Sequence, residues 1–420
     1  MFSRLNQVTT ALRKKGLRYT LSQLVFYLLA FPAGLAFVAY DHFTSHDRRD
    51  IAVMIRTTKP ESDTYGLLGE LADRDTDRTL HILSYQQVDD TQLALWDDRD
   101  VTTSFARIYT PVFFRALAQS QIVLCKNDHY LRWYRLFDRS DRRYVRLYHG
   151  PITKAYGTTR TTSRPSTVAE NTSLVDTAPR YRSVNSDTER YFRASAEGRH
   201  PGRFLKWGYP RFDRIRRFIT GDEEPILPDE TRAIFESDGK YTDILYATTH
   251  KDGAYPTTFF PFSDFDVDRL RAWCRDHDVR IFLRPHPSTD TPYEHLVDDE
   301  ILYFAGQDFA NSATELVPFI DGLITDYSSI YMEYLLIDRP IVFVKDRHDR
   351  FLQVRGLAFD YDRYFPGPKP DTFDEFLAQL DGISHGNDEY ADERAFVRET
   401  FAPERSQTFL ETIYHEFELE

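Results

Sequence analysis

From Ile51 onward, short apolar runs alternate with amphipathic stretches, the pattern of a parallel β-sheet flanked by helices. Strands are expected at Ile51–Ile55, Leu80–Leu83, Gln121–Leu124 and Tyr144–Leu147, with a helix over Phe114–Ala118 entering the third. A second series begins after Gly221, with strands at Ile244–Tyr246, Arg280–Leu283, Gly322–Ile324 and Ile341–Val344 and helices at Val267–Asp276 and Ile330–Leu336. Thr158–Ala178 is rich in Thr, Ser and Pro, lacks apolar periodicity and predicts a long loop. A last helix over Arg405–Phe417 is placed to cross back onto the first series. The reading is an α/β protein of two doubly wound domains, residues 46–215 and 216–420, after a distinct segment, 1–45.

That first segment breaks the pattern. Met1–Thr20 carries Arg4, Arg13, Lys14, Lys15 and Arg18 with no acidic residue, and an apolar run from Leu24 to Tyr40 follows, interrupted by Pro32 and Gly34. A spanning helix here would leave the basic end inside and everything else outside. The expectation is therefore an in-plane or re-entrant membrane anchor, with the basic residues on anionic headgroups; a buried first helix is the alternative.

At 420 residues and 41% hydrophobic content the chain can fill two cores. A net charge of −13 argues against a general nucleic-acid binder, which needs a basic face for counterion release. Cys125 and Cys274 stand far apart with no metal-ligand spacing, so both read as reduced core residues of a cytosolic protein.

Candidate chemistry gathers where expected strands end. Thr325-Asp326-Tyr327-Ser328-Ser329 joins a strand to a helix, offering free N–H groups and hydroxyls to a diphosphate, unless Asp326 or Ser328 only caps the helix. Arg284-Pro285-His286-Pro287 and Tyr148-His149-Gly150-Pro151 follow strands directly, at the edge where open α/β sheets bind ligands. In Gly208-Tyr209-Pro210-Arg211-Phe212-Asp213, Arg211 is set either to fork onto a phosphate or to pair with Asp213 or another nearby carboxylate. Thr248 and Thr249 end the first strand of the second series.

Taken in order, H-G-P, G-Y-P-R-x-D, Y-A-T-T-x-x-D, R-P-H-P and I-T-D-Y-S-S with R-P-I-V-F resemble the CDP-glycerol glycerophosphotransferase family of teichoic-acid primases and polymerases, from about Ala116 to Val344. The resemblance implies a GT-B fold, two Rossmann-like domains facing across a cleft, with the CDP-polyol donor mostly in the second. It implies catalytic roles for His149 and His286, and donor contacts from Gly150, Arg211, Thr248, Thr249, Arg284, Ser328 and Ser329. Glu333 stands where the family usually has Asp, a contact to donor hydroxyls. The usual H-G-T-P is His149-Gly150-Pro151-Ile152 here, with Thr153 offering a hydroxyl in place of the missing one, and the family's Trp-Arg is replaced around Thr249-His250-Lys251.

The expected reaction is transfer of a polyol phosphate to a hydroxyl of a membrane-linked or cell-surface glycan or polymer, with CMP released at the cytoplasmic face of the membrane. No cofactor or metal is expected, beyond a Mg²⁺ that the donor diphosphate can carry. The rival readings are a GT-B glycosyltransferase using a nucleotide-sugar and a non-catalytic nucleotide-binding protein at the membrane.

Overall fold

The computed structural model describes residues 32, 35–43, 48–55, 62–73, 78–84, 102–107, 110–126, 141–148, 150–160, 181–236, 241–249, 258–286, 293–298 and 300–419. Most of the expected anchor, most of the Thr158–Ala178 loop, His149, His250, Lys251 and Pro287 lie outside the described residues.

Among the described residues twelve strands form two sheets, both wholly parallel. β1 (Asp50–Ile55), β2 (Leu80–Ser84), β3 (Thr103–Arg107), β4 (Ser120–Cys125), β5 (Arg143–Arg146), β6 (Tyr181–Ser183) and β7 (Phe204–Leu205) make the first, in the order β3-β2-β1-β4-β5-β6-β7. β8 (Thr242–Ala247), β9 (Val279–Arg284), β10 (Leu302–Phe304), β11 (Gly322–Thr325) and β12 (Ile341–Phe343) make the second, in the order β10-β9-β8-β11-β12. The central strands β1, β8, β9 and β11 are almost completely buried, as continuous apolar runs covered on both faces must be. Cys125 and Cys274 are buried and unbridged.

Each sheet reverses its strand order once, between β1 and β4 and between β8 and β11. At such a switch point neighbouring connections leave in opposite directions and open a crevice at the carboxyl ends.

Helices α1 (Ser62–Asp73), α2 (Pro111–Gln119), α3 (Asp187–Glu197), α4 (Pro210–Thr220), α5 (Val267–Asp276), α6 (Tyr331–Ile337) and α7 (Phe409–Phe417) place the residues that matter below. Helix α4 packs so closely on α1 that a Cβ on Gly66 would lie 2.3 Å from the Pro210 carbonyl oxygen. Only glycine allows that approach.

Helix α7 packs Phe409, Leu410 and Ile413 into the core of the first sheet with Ile51, Val53 and Leu124. It starts at 409 rather than the expected 405. Thr408 accepts the Glu411 N–H and Glu411 accepts the Thr408 N–H, a reciprocal cap that fixes the start there.

Residues 35–43 are helical. Phe37 stacks on Phe114, and Asp41 pairs with Arg142 and Arg48, so this part of the apolar run lies against the first sheet's helix layer. Leu35, Tyr40 and Phe43 on the same helix stay exposed. Among the described residues no helix is long and apolar enough to cross a membrane.

Candidate active site

Strands β8 and β11 end side by side and their turns are tied together. Asp326 Oδ1 accepts the Thr249 N–H at 2.9 Å and its neighbour's N–H, that of Tyr327, at 2.6 Å. Asp326 thus braces the two strand ends instead of capping α6, and that helix has no side-chain cap at all. The hydroxyls of Ser328 and Ser329 make no hydrogen bond among the described residues and are half-buried. With seven residues, α6 contributes only a short helix dipole, so the hydroxyls and the turn's N–H groups supply most of the polarity here.

Thr248 adds an orphan. Its hydroxyl is buried with no hydrogen-bond partner among the described residues, although a buried hydroxyl is normally satisfied.

Next along the sheet, β9 ends in Arg284. The guanidinium is held by three carbonyl oxygens, those of Ala305 at 2.9 Å, Gly306 at 3.1 Å and Ala310 at 2.9 Å. No carboxylate among the described residues pairs with it. Burial pulls its pKa down to about 10, the mark of a charge taken out of water without a counter-anion. His286, two residues on, is half-buried at the same edge.

The opposite wall comes from the first sheet, and there the charges are matched. Arg211, in the first turn of α4, forks Nε and Nη2 onto Asp63 at 2.9 and 2.6 Å, and its backbone N–H meets the same carboxylate at 3.2 Å. Lys126, just past β4, also reaches Asp63, at 2.8 Å. These two cations hold the Asp63 carboxyl far below the usual range despite its burial. The third arm, Nη1, spans to Glu333 Oε1 on α6 at 3.3 Å.

Arg211 therefore pairs with Asp63 and Glu333 rather than with Asp213. The latter pairs with Arg216 and accepts the Phe409 N–H at 2.8 Å, at the start of α7. Glu333 is also taken up, because the Thr314 hydroxyl donates to Oε2 at 2.7 Å.

The first motif sits against this hub. Gly150 has φ +123°, a conformation that side chains rarely adopt, and a Cβ there would stand 3.5 Å from Arg211 Nη1 and 3.9 Å from Ser329 Oγ. Three expected motifs thus come within contact of one point. Arg193 on α3 fixes the residues on either side of His149, lying 3.6 Å from the Tyr148 ring centroid and donating to the Gly150 carbonyl at 2.8 Å. Glu189 and Tyr209 complete its surroundings.

One expectation changes and three site residues are new. Thr153 does not offer a hydroxyl to a ligand; it is buried and donates to the Tyr327 carbonyl at 3.4 Å. Lys154, absent from the sequence reading, reaches Thr249 Oγ1 at 2.5 Å. Lys126 and Asp63 were missed as well. A cation at the end of an apolar strand and an acid in a helix's first turn were the available signals.

Among the described residues no group of His, Cys, Asp and Glu is arranged to hold a metal ion.

The molecule is thus a two-sheet α/β protein in which residues of the first half, Arg211 and Gly150, meet Glu333 and Ser329 of the second along a polar seam. The family described as CDP-Glycerol:Poly(glycerophosphate) glycerophosphotransferase matches residues 54–415, and the chain belongs to it.

Relatives include the teichoic acid ribitol-phosphate polymerase TarL of Staphylococcus aureus, 26% identical over 220 residues, which are 50% of this chain and 36% of that protein. A teichoic acid poly(glycerol phosphate) polymerase of Bacillus spizizenii is 27% identical over 252 residues, 56% of this chain and 60% of the relative. Matches to three of the polymerases span only 36%, 25% and 38% of their lengths. The solved wall teichoic acid polymerase TagF superposes with a TM-score of 0.68 over 96% of this chain and 97% of that one, at 17% identity, a likeness of fold.

Proposed function

We propose that this chain transfers a polyol phosphate from a CDP-polyol, CDP-glycerol or a close analogue, to a hydroxyl of a membrane-linked or cell-surface glycan or polymer, releasing CMP. The observation that carries the reading is that a Cβ built on Gly150 would stand within 3.9 Å of both Arg211 and Ser329, so three motifs from both sides of the seam meet there. Family membership and the names of the relatives support the same chemistry.

In this reading the architecture is GT-B, with residues 46–215 as the acceptor domain and 216–420 as the donor domain. The diphosphate lies over Ser328, Ser329, Thr248 and Thr249, with Arg284 as the buried counter-charge and His286 beside it. Arg211 and Glu333 shape the opposite wall. A hydroxyl oxygen of the acceptor attacks the donor's β-phosphorus, the bond from that phosphorus to the oxygen of CMP breaks, and the hydroxyl proton passes to His149. Charge moves onto CMP, where fixed donors and cations stabilise it without reorganising. Any Mg²⁺ arrives on the donor diphosphate. The proposed site of action is the cytoplasmic face of the membrane, with residues 1–45 as the attachment.

Incubation with CDP-glycerol, CDP-ribitol and UDP-sugars, following CMP or UDP, tests the reading. CMP release with His149→Ala inactive is expected; UDP release favours a glycosyltransferase, and nucleotide binding without turnover favours a non-catalytic protein.

A further inference from the structure

The segment after the first motif belongs to the first sheet by sequence and to the second by hydrogen bonding. Ala155 N–H donates to the Gly356 carbonyl at 3.0 Å and Ala358 N–H donates to the Thr153 carbonyl at 2.9 Å, and Lys154 faces Leu357 in an isolated antiparallel bridge. The Thr153 hydroxyl adds its bond to the Tyr327 carbonyl, inside the turn that carries Ser328 and Ser329. Lys154 is thereby rooted on the wall opposite its own strand.

Its ammonium ends at Thr249 Oγ1, 2.5 Å away. Thr249 is bonded through its N–H to Asp326, and Thr248 beside it holds the orphan hydroxyl. The ammonium therefore lies at the crevice between the ends of β8 and β11, the switch point of the second sheet.

From this placement we propose that Lys154 binds the diphosphate of the nucleotide donor directly, as a cation lent to the donor side by the first half of the chain. This deepens the proposed function and rests on it. A threonine hydroxyl accepts a hydrogen bond but carries no charge. A phosphoryl oxygen at the same place accepts that bond with a negative charge, and hydrogen bonds between charged partners are the stronger kind. Lysine suits the role because its flexible stem lets a point charge follow the phosphoryl group, whereas Arg211 is fixed by Asp63 and Glu333. Lys154 meets the negative charge that builds on CMP as the phosphorus–oxygen bond breaks. The segment that brings the ammonium also joins the two halves, so donor binding and closure of the seam use one piece of chain.

The test compares wild type, Lys154→Gln and Lys154→Arg, each with its melting temperature recorded. The amide of Lys154→Gln can still donate to Thr249, but the charge is gone. With CDP-glycerol, kcat/KM is expected to fall about 100-fold in Lys154→Gln, on the scale of losing one electrostatic donor, and to return to within about 10-fold in Lys154→Arg. Titration of inorganic pyrophosphate into the same proteins is expected to show weaker binding in Lys154→Gln alone.

Pyrophosphate binding equal in wild type and Lys154→Gln overturns the proposal, as does equal loss of activity in both variants with equally lowered melting temperatures, which is the behaviour of a seam contact only. If wild type releases no CMP from any CDP-polyol, the proposed function fails while the pyrophosphate titration still decides the role of Lys154.

Discussion

The two walls of the seam handle charge in opposite ways. On the first-sheet wall Arg211 and Lys126 share Asp63, Arg211 extends to Glu333, and Arg193 is satisfied by Glu189, Tyr209 and the Gly150 carbonyl. Among the described residues of the second-sheet wall, Arg284 meets only carbonyls, Thr248 has no partner, and the Ser328 and Ser329 hydroxyls are unbonded. Buried polar groups are costly unless satisfied, and a fold with ample acidic residues could have satisfied these. The matched wall therefore holds a shape, and in the proposed function the unmatched one offers its donors to the anionic diphosphate.

The contrast breaks most visibly at Asp63. Replacing it with Asn takes from Arg211 and Lys126 the buried carboxylate they share, and removing one partner of a buried ion pair costs about 3–5 kcal/mol. Asp63→Asn should unfold at much lower denaturant, and a midpoint close to wild type would show that the first wall is not held by this hub. Since burial alone would raise the Asp63 pKa and the two cations hold it down, its contribution is present at neutral pH and is lost only in strong acid.

At Thr248 the effect should be smaller and of opposite sign. Thr248→Val removes a buried hydroxyl that bonds to nothing among the described residues, so the ligand-free protein should be unchanged or stabilised by up to about 1 kcal/mol. Donor KM should rise about 10-fold, the loss of roughly one hydrogen bond of about 1.4 kcal/mol. Ser329→Ala should act on KM in the same direction. A destabilised Thr248→Val with unchanged KM would mean that the second wall is as structural as the first.

How much of this was legible in the sequence follows the same division. Long central strands announce themselves as apolar runs: β1, β4, β8 and β9 lie within a residue or two of their expected places, because burial on both faces leaves no room for polar residues. β3, β6, β7 and β10 were not foreseen. They have five, three, two and three residues, and three of the four are sheet edges, where neither length nor periodicity is enforced. Of the site, the turns at the strand ends were readable, since a polar turn after an apolar run marks the carboxyl edge. Their partners were not. Arg211 was weighed against Asp213, two positions away, whereas the fold gives it Asp63, 148 positions back. Lys154 finds Thr249 at a separation of 95. Local sequence places a side chain on an edge; only tertiary packing chooses what it faces.

A further effect is expected away from the seam, at Glu70 and Asp213, a carboxyl pair at the start of α7. Leu410 N–H donates to Glu70 Oε2 at 3.0 Å, as Phe409 N–H does to Asp213, in a polar recess that Arg216, Arg217, Arg405 and Glu411 also line. Burial and then the neighbouring Asp213 push the Glu70 carboxyl up to about 8, above its ordinary 4.5. A folded state that binds a proton more tightly than the unfolded chain loses stability as pH rises between those two values. Wild type should therefore lose melting temperature between about pH 5 and pH 8 through this group. Glu70→Gln, neutral at every pH, should lack that share of the slope, so the two proteins should draw apart by a few degrees toward pH 8. Parallel pH profiles would mean that the pair is solvated and adds no pH dependence to the packing of Phe409, Leu410 and Ile413 on the first sheet.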